Sequence, residues 1–188
     1  MRCIKERILK EFREEVRQQG LRFSMDDLAA RLGVSKKTIY KYYSSKAEIL
    51  EEMIDQTIEN MEEKAAAIIQ DEQLTLVEKL KGVMAVAPDH YDLTDVRILN
   101  QMKRFFPEQW EKLDHFLQSD WDQIKSLVEQ GVEKGYIKDY NVSLMMKVII
   151  ASINTTLDQS FYLNNQITTE EALEDIVEIL LGGILENN

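Results

Sequence analysis

In residues 26–43, DDLAARLGVSKKTIYKYY, the small Ala29 is followed four positions on by Gly33 and then by the apolar Val34 and Ile39. Two helices that cross closely need a small side chain where they touch, a glycine where the chain reverses, and apolar side chains to fill the space beneath. The spacing is that of a helix-turn-helix. Ordinary helical hairpins also carry such a pattern, so the flanking residues matter. Ser24 stands as an N-cap with Asp26 and Asp27 in the first turn, where the helix dipole favours anions, and Ser35 caps the helix that follows the turn.

The rest of the chain reads as helical too. Its 188 residues contain 7 Gly and 2 Pro as rare punctuation, with no sustained period-two alternation. A first helix over residues 2–19 carries Ile4, Ile8, Phe12 and Val16 at steps of four and stops at Gly20. A long fourth helix starts near Ser45. Further helices are predicted over residues 74–86, 92–105, 107–135, 143–162 and 168–185, the last with a capping-box spacing from Thr168 to Glu171. The expected fold class is all-α.

Charge is distributed unevenly. Residues 1–50 hold 12 Lys and Arg against 7 Asp and Glu, a balance of +5, whereas the remainder holds 11 against 27, a balance of -16. A positive segment can meet a phosphate backbone and a strongly negative one is repelled by it. The two parts therefore have different partners.

The array FSMDDLAARLGVSKKTIYKYYSSKAEIL, residues 23–50, resembles the TetR family of transcriptional regulators. The Ser opening the second helix, the Ala and Gly of the turn, the Thr-Ile-Tyr of the recognition helix and the Ser-Lys opening the fourth helix all stand at family spacing. Two departures are Tyr42-Tyr43, where His-Phe or Tyr-Phe is usual, and Lys36-Lys37 before Thr38, where a glycine often precedes the threonine; the second bears on base preference. The resemblance implies a three-helix DNA-binding domain at residues 1–45, joined by the long helix to a helical effector-binding and dimerisation domain at residues 46–188. It also implies a homodimer, a double-stranded DNA operator with palindromic symmetry, a small-molecule effector, repression as the commonest outcome, and a cytoplasmic location.

Within that array the recognition helix is expected to enter the major groove, with Lys36, Lys37, Thr38 and Lys41 facing base edges. Tyr40 and Tyr42 can reach phosphates with their hydroxyls. Lys46 and the first amides of the fourth helix form an anion site, and Ser24 and Ser35 play the same part at their own helices. Ile39 and Tyr43 belong to the core.

Beyond residue 50, Leu144, Val148, Ile176, Ile179 and Leu180 recur at helical spacing and give the last two helices broad apolar faces, which by the resemblance form a four-helix interface with their symmetry mates. Aromatic and methionine side chains gather in between: Met102, Phe105, Phe106, Trp110, Phe116, Trp121, Tyr136, Met145 and Met146. They suit either an ordinary core or a pocket for an apolar ligand.

Other function classes find little to stand on. No Gly-rich phosphate loop, Gly-x-Ser-x-Gly, Cys-His constellation or His-Glu-x-x-His helix is present, so an enzyme is not expected. Neither is a cofactor. His90 and His115 are read as surface or structural residues rather than metal ligands, and the single Cys3 cannot form an intrachain disulfide. No leader or membrane-length apolar run is found, and no membrane partner is expected. The competing reading is a helical adaptor whose basic segment binds an acidic protein or an anionic membrane.

Overall fold

The computed structural model describes residues 4–89, 93, 95–119, 121–154 and 167–185. Its described helices are α1 (Ile4–Gln19), α2 (Met25–Leu32), α3 (Lys36–Tyr40), α4 (Lys46–Gln70), α5 (Leu76–Met84), α6 (Val96–Phe105), α7 (Pro107–Ser119), α8 (Asp122–Glu133), α9 (Val142–Asn154) and α10 (Thr169–Ile184), with one 3-10 turn at Gly20–Arg22. Two compact units result, Met1–Ile58 with His90–Leu113 and Glu59–Asp89 with Asp114–Asn188. Among the described residues no helix is long and apolar enough to cross a membrane.

In the first unit, the four-residue stripe of α1 buries Ile8, Phe12 and Val16 completely. Each such side chain contributes about 1.5–3 kcal/mol relative to exposure. Leu28, Ile39, Tyr43, Ile49 and Met53 close the same core, and Phe12 meets Phe23 edge to face at 5.2 Å. The chain leaves α1 through Gly20, whose φ of +68° lies in the left-handed region. A Cβ there would also run into the Gln101 side chain of α6, 2.7 Å away. That same Gln101 accepts a hydrogen bond from the Leu21 amide.

In the second unit, α5 packs on α8 and α10, and α9 packs on both α8 and α10. Leu80, Met84, Val128, Ile149 and Val177 lie at the centre. At Gly131 of α8 a Cβ would stand 2.5 Å from the Ile137 side chain, which would have to shift to admit it. The backbone of Ile137 returns to donate to the Gly131 carbonyl at 3.1 Å. Ile137 and Leu185 then form an isolated antiparallel bridge, and Lys138 N–H bonds the Ile184 carbonyl at 2.9 Å, which fastens the end of α10.

Two of the expected helix spans are corrected, and a third is described only in part. The helix expected over 107–135 is two, α7 and α8: near the end of α7 the Trp121 indole and the Asn154 amide both donate to the Leu117 carbonyl, at 2.9 and 3.2 Å, while α8 starts at Asp122 without a side-chain cap. The span 92–105 begins at Val96, since the Asp95 carboxylate accepts from the Arg97 amide and caps the helix there. The span 143–162 is helical from Val142 to Asn154; residues 155–162 lie outside the described ones. The capping box at Thr168 is formed, with Glu171 reaching back to the Thr168 amide at 2.7 Å.

Candidate nucleic-acid interface

Capping chemistry positions the two helices of the motif. The Ser24 hydroxyl accepts from the Asp27 amide and the Asp27 carboxylate takes both the Ser24 amide and hydroxyl, at 2.7 Å each, closing a reciprocal box at the start of α2. These hydrogen bonds hold the Asp27 carboxyl below its usual range. Gly33 ends α2 at φ +66°, its amide bonding the Ala30 carbonyl while the Val34 amide bonds that of Ala29. No atom lies within 4 Å of a Cβ built at Gly33. Glycine is needed there for its conformation and not for room.

α3 is short. Ser35 caps it, accepting from the Thr38 amide at 3.1 Å, with the Ser35 and Thr38 hydroxyls 2.9 Å apart. Ile39 and Tyr43 are buried beneath it. Lys37, Tyr40, Lys41 and Tyr42 are exposed above it, the two tyrosines at 46% and 40%. Lys37 and Lys41 make no ion pair among the described residues. Lys36, also exposed, reaches back to the Asp26 carboxylate at 2.7 Å, which raises its pKa.

Lys46 is placed differently from its neighbours. It opens α4 half-buried, donates to the Leu21 carbonyl at 3.1 Å and to the Phe23 carbonyl, and stands 3.6 Å above the Phe23 ring. Burial lowers its pKa to about 8, against the opposite pull of the Asp27 and Glu15 carboxylates. The spacing of the fourth helix's start shows nothing of these tertiary contacts.

Two further supports of the motif are also tertiary. Arg31 on α2 spans the Glu11, Glu15 and Gln18 side chains of α1 at 2.8, 2.9 and 3.1 Å, so a cation counted in the basic segment is already neutralised. Lys112 on α7 pairs with Asp55 at 2.5 Å and Glu51 at 3.3 Å on α4. The opposite charges in the sequence allow such pairs, but their partners are set by packing.

Two features of the second unit bear on the other expected partners. Leu144 and Val148 on α9 and Ile179 on α10 are exposed at 62%, 47% and 74%. Leu144 and Val148 edge a cavity of about 200 Å³ with Tyr140, Met145, Leu180 and Ile184. A larger cavity of about 260 Å³ is walled by Met61, Met84, Val86, Phe116, Trp121 and Ile153. Of the aromatic and methionine side chains expected to gather, Phe116 and Trp121 reach this cavity. Met102 is core of the first unit, Met145 and Met146 are core of the second, and Phe105 and Tyr136 are exposed. His115 joins no cluster of three metal-ligating side chains among the described residues, and His90 and Cys3 lie outside them.

A helix-turn-helix with a cationic, tyrosine-bearing outer face, followed by a larger helical unit, defines a DNA-binding transcriptional regulator. The family model of bacterial regulatory proteins, tetR family, matches residues 8–53. Over 178 residues the chain is 36% identical to the uncharacterized HTH-type transcriptional regulator YvaF of Bacillus subtilis (strain 168), covering 95% of this chain and 94% of that one. The fatty acid metabolism regulator protein of the same strain is 29% identical over 168 residues, 84% of this chain and 82% of the relative. Among solved structures, the ketosteroid transcriptional regulator KstR2 of Mycobacterium tuberculosis superposes with a TM-score of 0.76 at 18% identity, over 100% of this chain and 97% of that one, and shares the fold. The chain belongs to the TetR family.

Proposed function

We propose that the chain is a cytoplasmic, homodimeric repressor that binds a palindromic operator and releases it when a small molecule occupies the cavity of about 260 Å³. Residues 1–45 serve as the reader and residues 46–188 as the effector and dimerisation part. The observation that carries this reading is the face of α3, where Lys37, Tyr40, Lys41 and Tyr42 are exposed over the buried Ile39 and Tyr43. Lys37, Thr38 and Lys41 meet base edges, with Lys36 joining them when DNA displaces Asp26. Tyr40, Tyr42, Ser24 and Ser35 address the backbone. Lys46 has three donors and spends two on carbonyls. The third is left for a phosphate beside the first amides of α4.

Dimerisation through α9 and α10 is supported by the exposure of Leu144, Val148 and Ile179. The effector response is supported by α4, which contributes Met61 and Glu62 to the cavity and Lys46 to the reading end. A displacement of α4 changes the separation of the two recognition helices, which must match about 34–36 Å or a multiple. The name of the fatty acid metabolism regulator fits an effector with an apolar chain. Selection of duplexes from a random pool by the full chain tests the reading. A two-fold symmetric sequence is expected, and failure to enrich any duplex would overturn it.

A further inference from the structure

The charge around the larger cavity narrows the class of effector, given the effector response proposed above. Its walls are apolar, and the two charged side chains among its described lining residues are both carboxylates, Glu62 on α4 and Asp122 in the first turn of α8. Both are exposed, which places them where the cavity opens to solvent. Gln123 beside them is uncharged, and no Lys or Arg is among the described lining residues. The surrounding unit reinforces the sign, since Glu59–Asp89 with Asp114–Asn188 carries 20 Asp and Glu against 7 Lys and Arg.

An anionic head entering here gives up water and meets two like charges, with no cation among the described lining residues to compensate. A cationic head meets two carboxylates and the Trp121 ring, whose face attracts positive charge. We infer that the effector is a cationic amphiphile, with its apolar body against Met61, Met84, Phe116 and Ile153 and its head against Glu62 and Asp122. Apolar contact alone does not separate an alkyl ammonium from a fatty acid of equal length. The rim does.

The chain has two tryptophans, so a Trp110→Phe variant leaves Trp121 as the sole reporter in the cavity wall. Its fluorescence can be titrated with dodecyltrimethylammonium, dodecanol, dodecanoate and dodecanoyl-CoA, all below their micelle-forming concentrations. The ammonium is expected to bind about tenfold more tightly than the alcohol, the sum of two partly exposed charge pairs and one cation–π contact. The two anions are expected to bind more weakly than the alcohol. Adding Glu62→Gln and Asp122→Asn should bring the ammonium to within about threefold of the alcohol, which reflects the cation–π share that remains. The alcohol carries no charge, so its own affinity should change by much less than that of the ammonium.

Binding of dodecanoate or dodecanoyl-CoA as tight as the ammonium, absence of ammonium binding, or a preference that survives the double substitution would each overturn the assignment. Operator release followed in the same titration addresses the effector response separately. Ammonium seen at Trp121 with the operator still bound would sink that response and leave the head-group assignment standing.

Discussion

The Lys46 ammonium lies 3.6 Å above the Phe23 ring and bonds the Phe23 carbonyl as well, so the first residue of α4 is clamped to the segment that leads into α2. Phe23 in turn packs on Phe12 of α1. One side chain thus ties α4 to the loop before α2, and through it to the core of α1.

Removing that clamp has a signature in pH as well as in stability. Lys46→Met is expected to cost about 1 kcal/mol through the carbonyl partners it abandons. In the wild type, the folded chain releases this proton near pH 8 while the unfolded chain keeps it to about 10.5. The unfolded state therefore binds more protons between those values, and stability rises with pH across that window. Denaturation of both chains from pH 7 to 11 should show a wild-type rise that the variant lacks. A Lys46 pKa at or above 10.5 by NMR titration would contradict the enclosed ammonium.

The same variant bears on DNA. If the third donor of Lys46 meets a phosphate, Lys46→Met lowers the salt slope of operator binding by about one unit for every duplex alike. An unchanged slope in the folded variant would assign the phosphate to the α4 amides alone.

Lys37 stands exposed at the front of α3 with no ion pair among the described residues. Lys37→Ala is expected to lose about 1–3 kcal/mol at one operator position and to relax the preference there. Anisotropy titrations against single-base operator variants read this out. A loss equal at every base would move Lys37 to the backbone.

Gly33 holds φ +66° in open space. Gly33→Ala should destabilise the chain by about 1–2 kcal/mol through backbone conformation alone, and Gly33→Asn by less, because asparagine tolerates the left-handed region. Equal losses would indicate an unrecognised contact at that position.

Ile179 is 74% exposed on α10, so a charge there has little effect on the fold of one chain. In a two-fold interface it meets its own copy or an apolar wall, at a cost of several kcal/mol across the pair. Ile179→Glu should yield helical monomers with weakened operator binding. Dimers of unchanged stability would place the interface elsewhere.

What was legible in the sequence was local. The Ser24, Ser35 and Thr168 caps and the left-handed Gly33 depend on residues at most five apart, and all four are formed as read. The burial of Ile39 and Tyr43 under an exposed Tyr40 and Tyr42 follows from the same short register. What was not legible is long-range. No glycine or proline marks the break between α7 and α8, because the freed Leu117 carbonyl is satisfied by Trp121 and by the distant Asn154. Neither did the charge count show that Arg31 and Lys36 are held by carboxylates of the same unit. The aromatic residues between positions 105 and 136 look alike as a string, yet packing sends Phe116 and Trp121 to the cavity and leaves Phe105 in solvent.

The most direct test of a dimeric reader is the mass of the full chain at micromolar concentration, alone and on its selected operator, by sedimentation equilibrium. Two chains free in solution and an even number of chains on one duplex, with half-site centres about 34–36 Å or a multiple apart, are the expected result. A monomer that still binds a palindromic operator tightly as a single chain would contradict it.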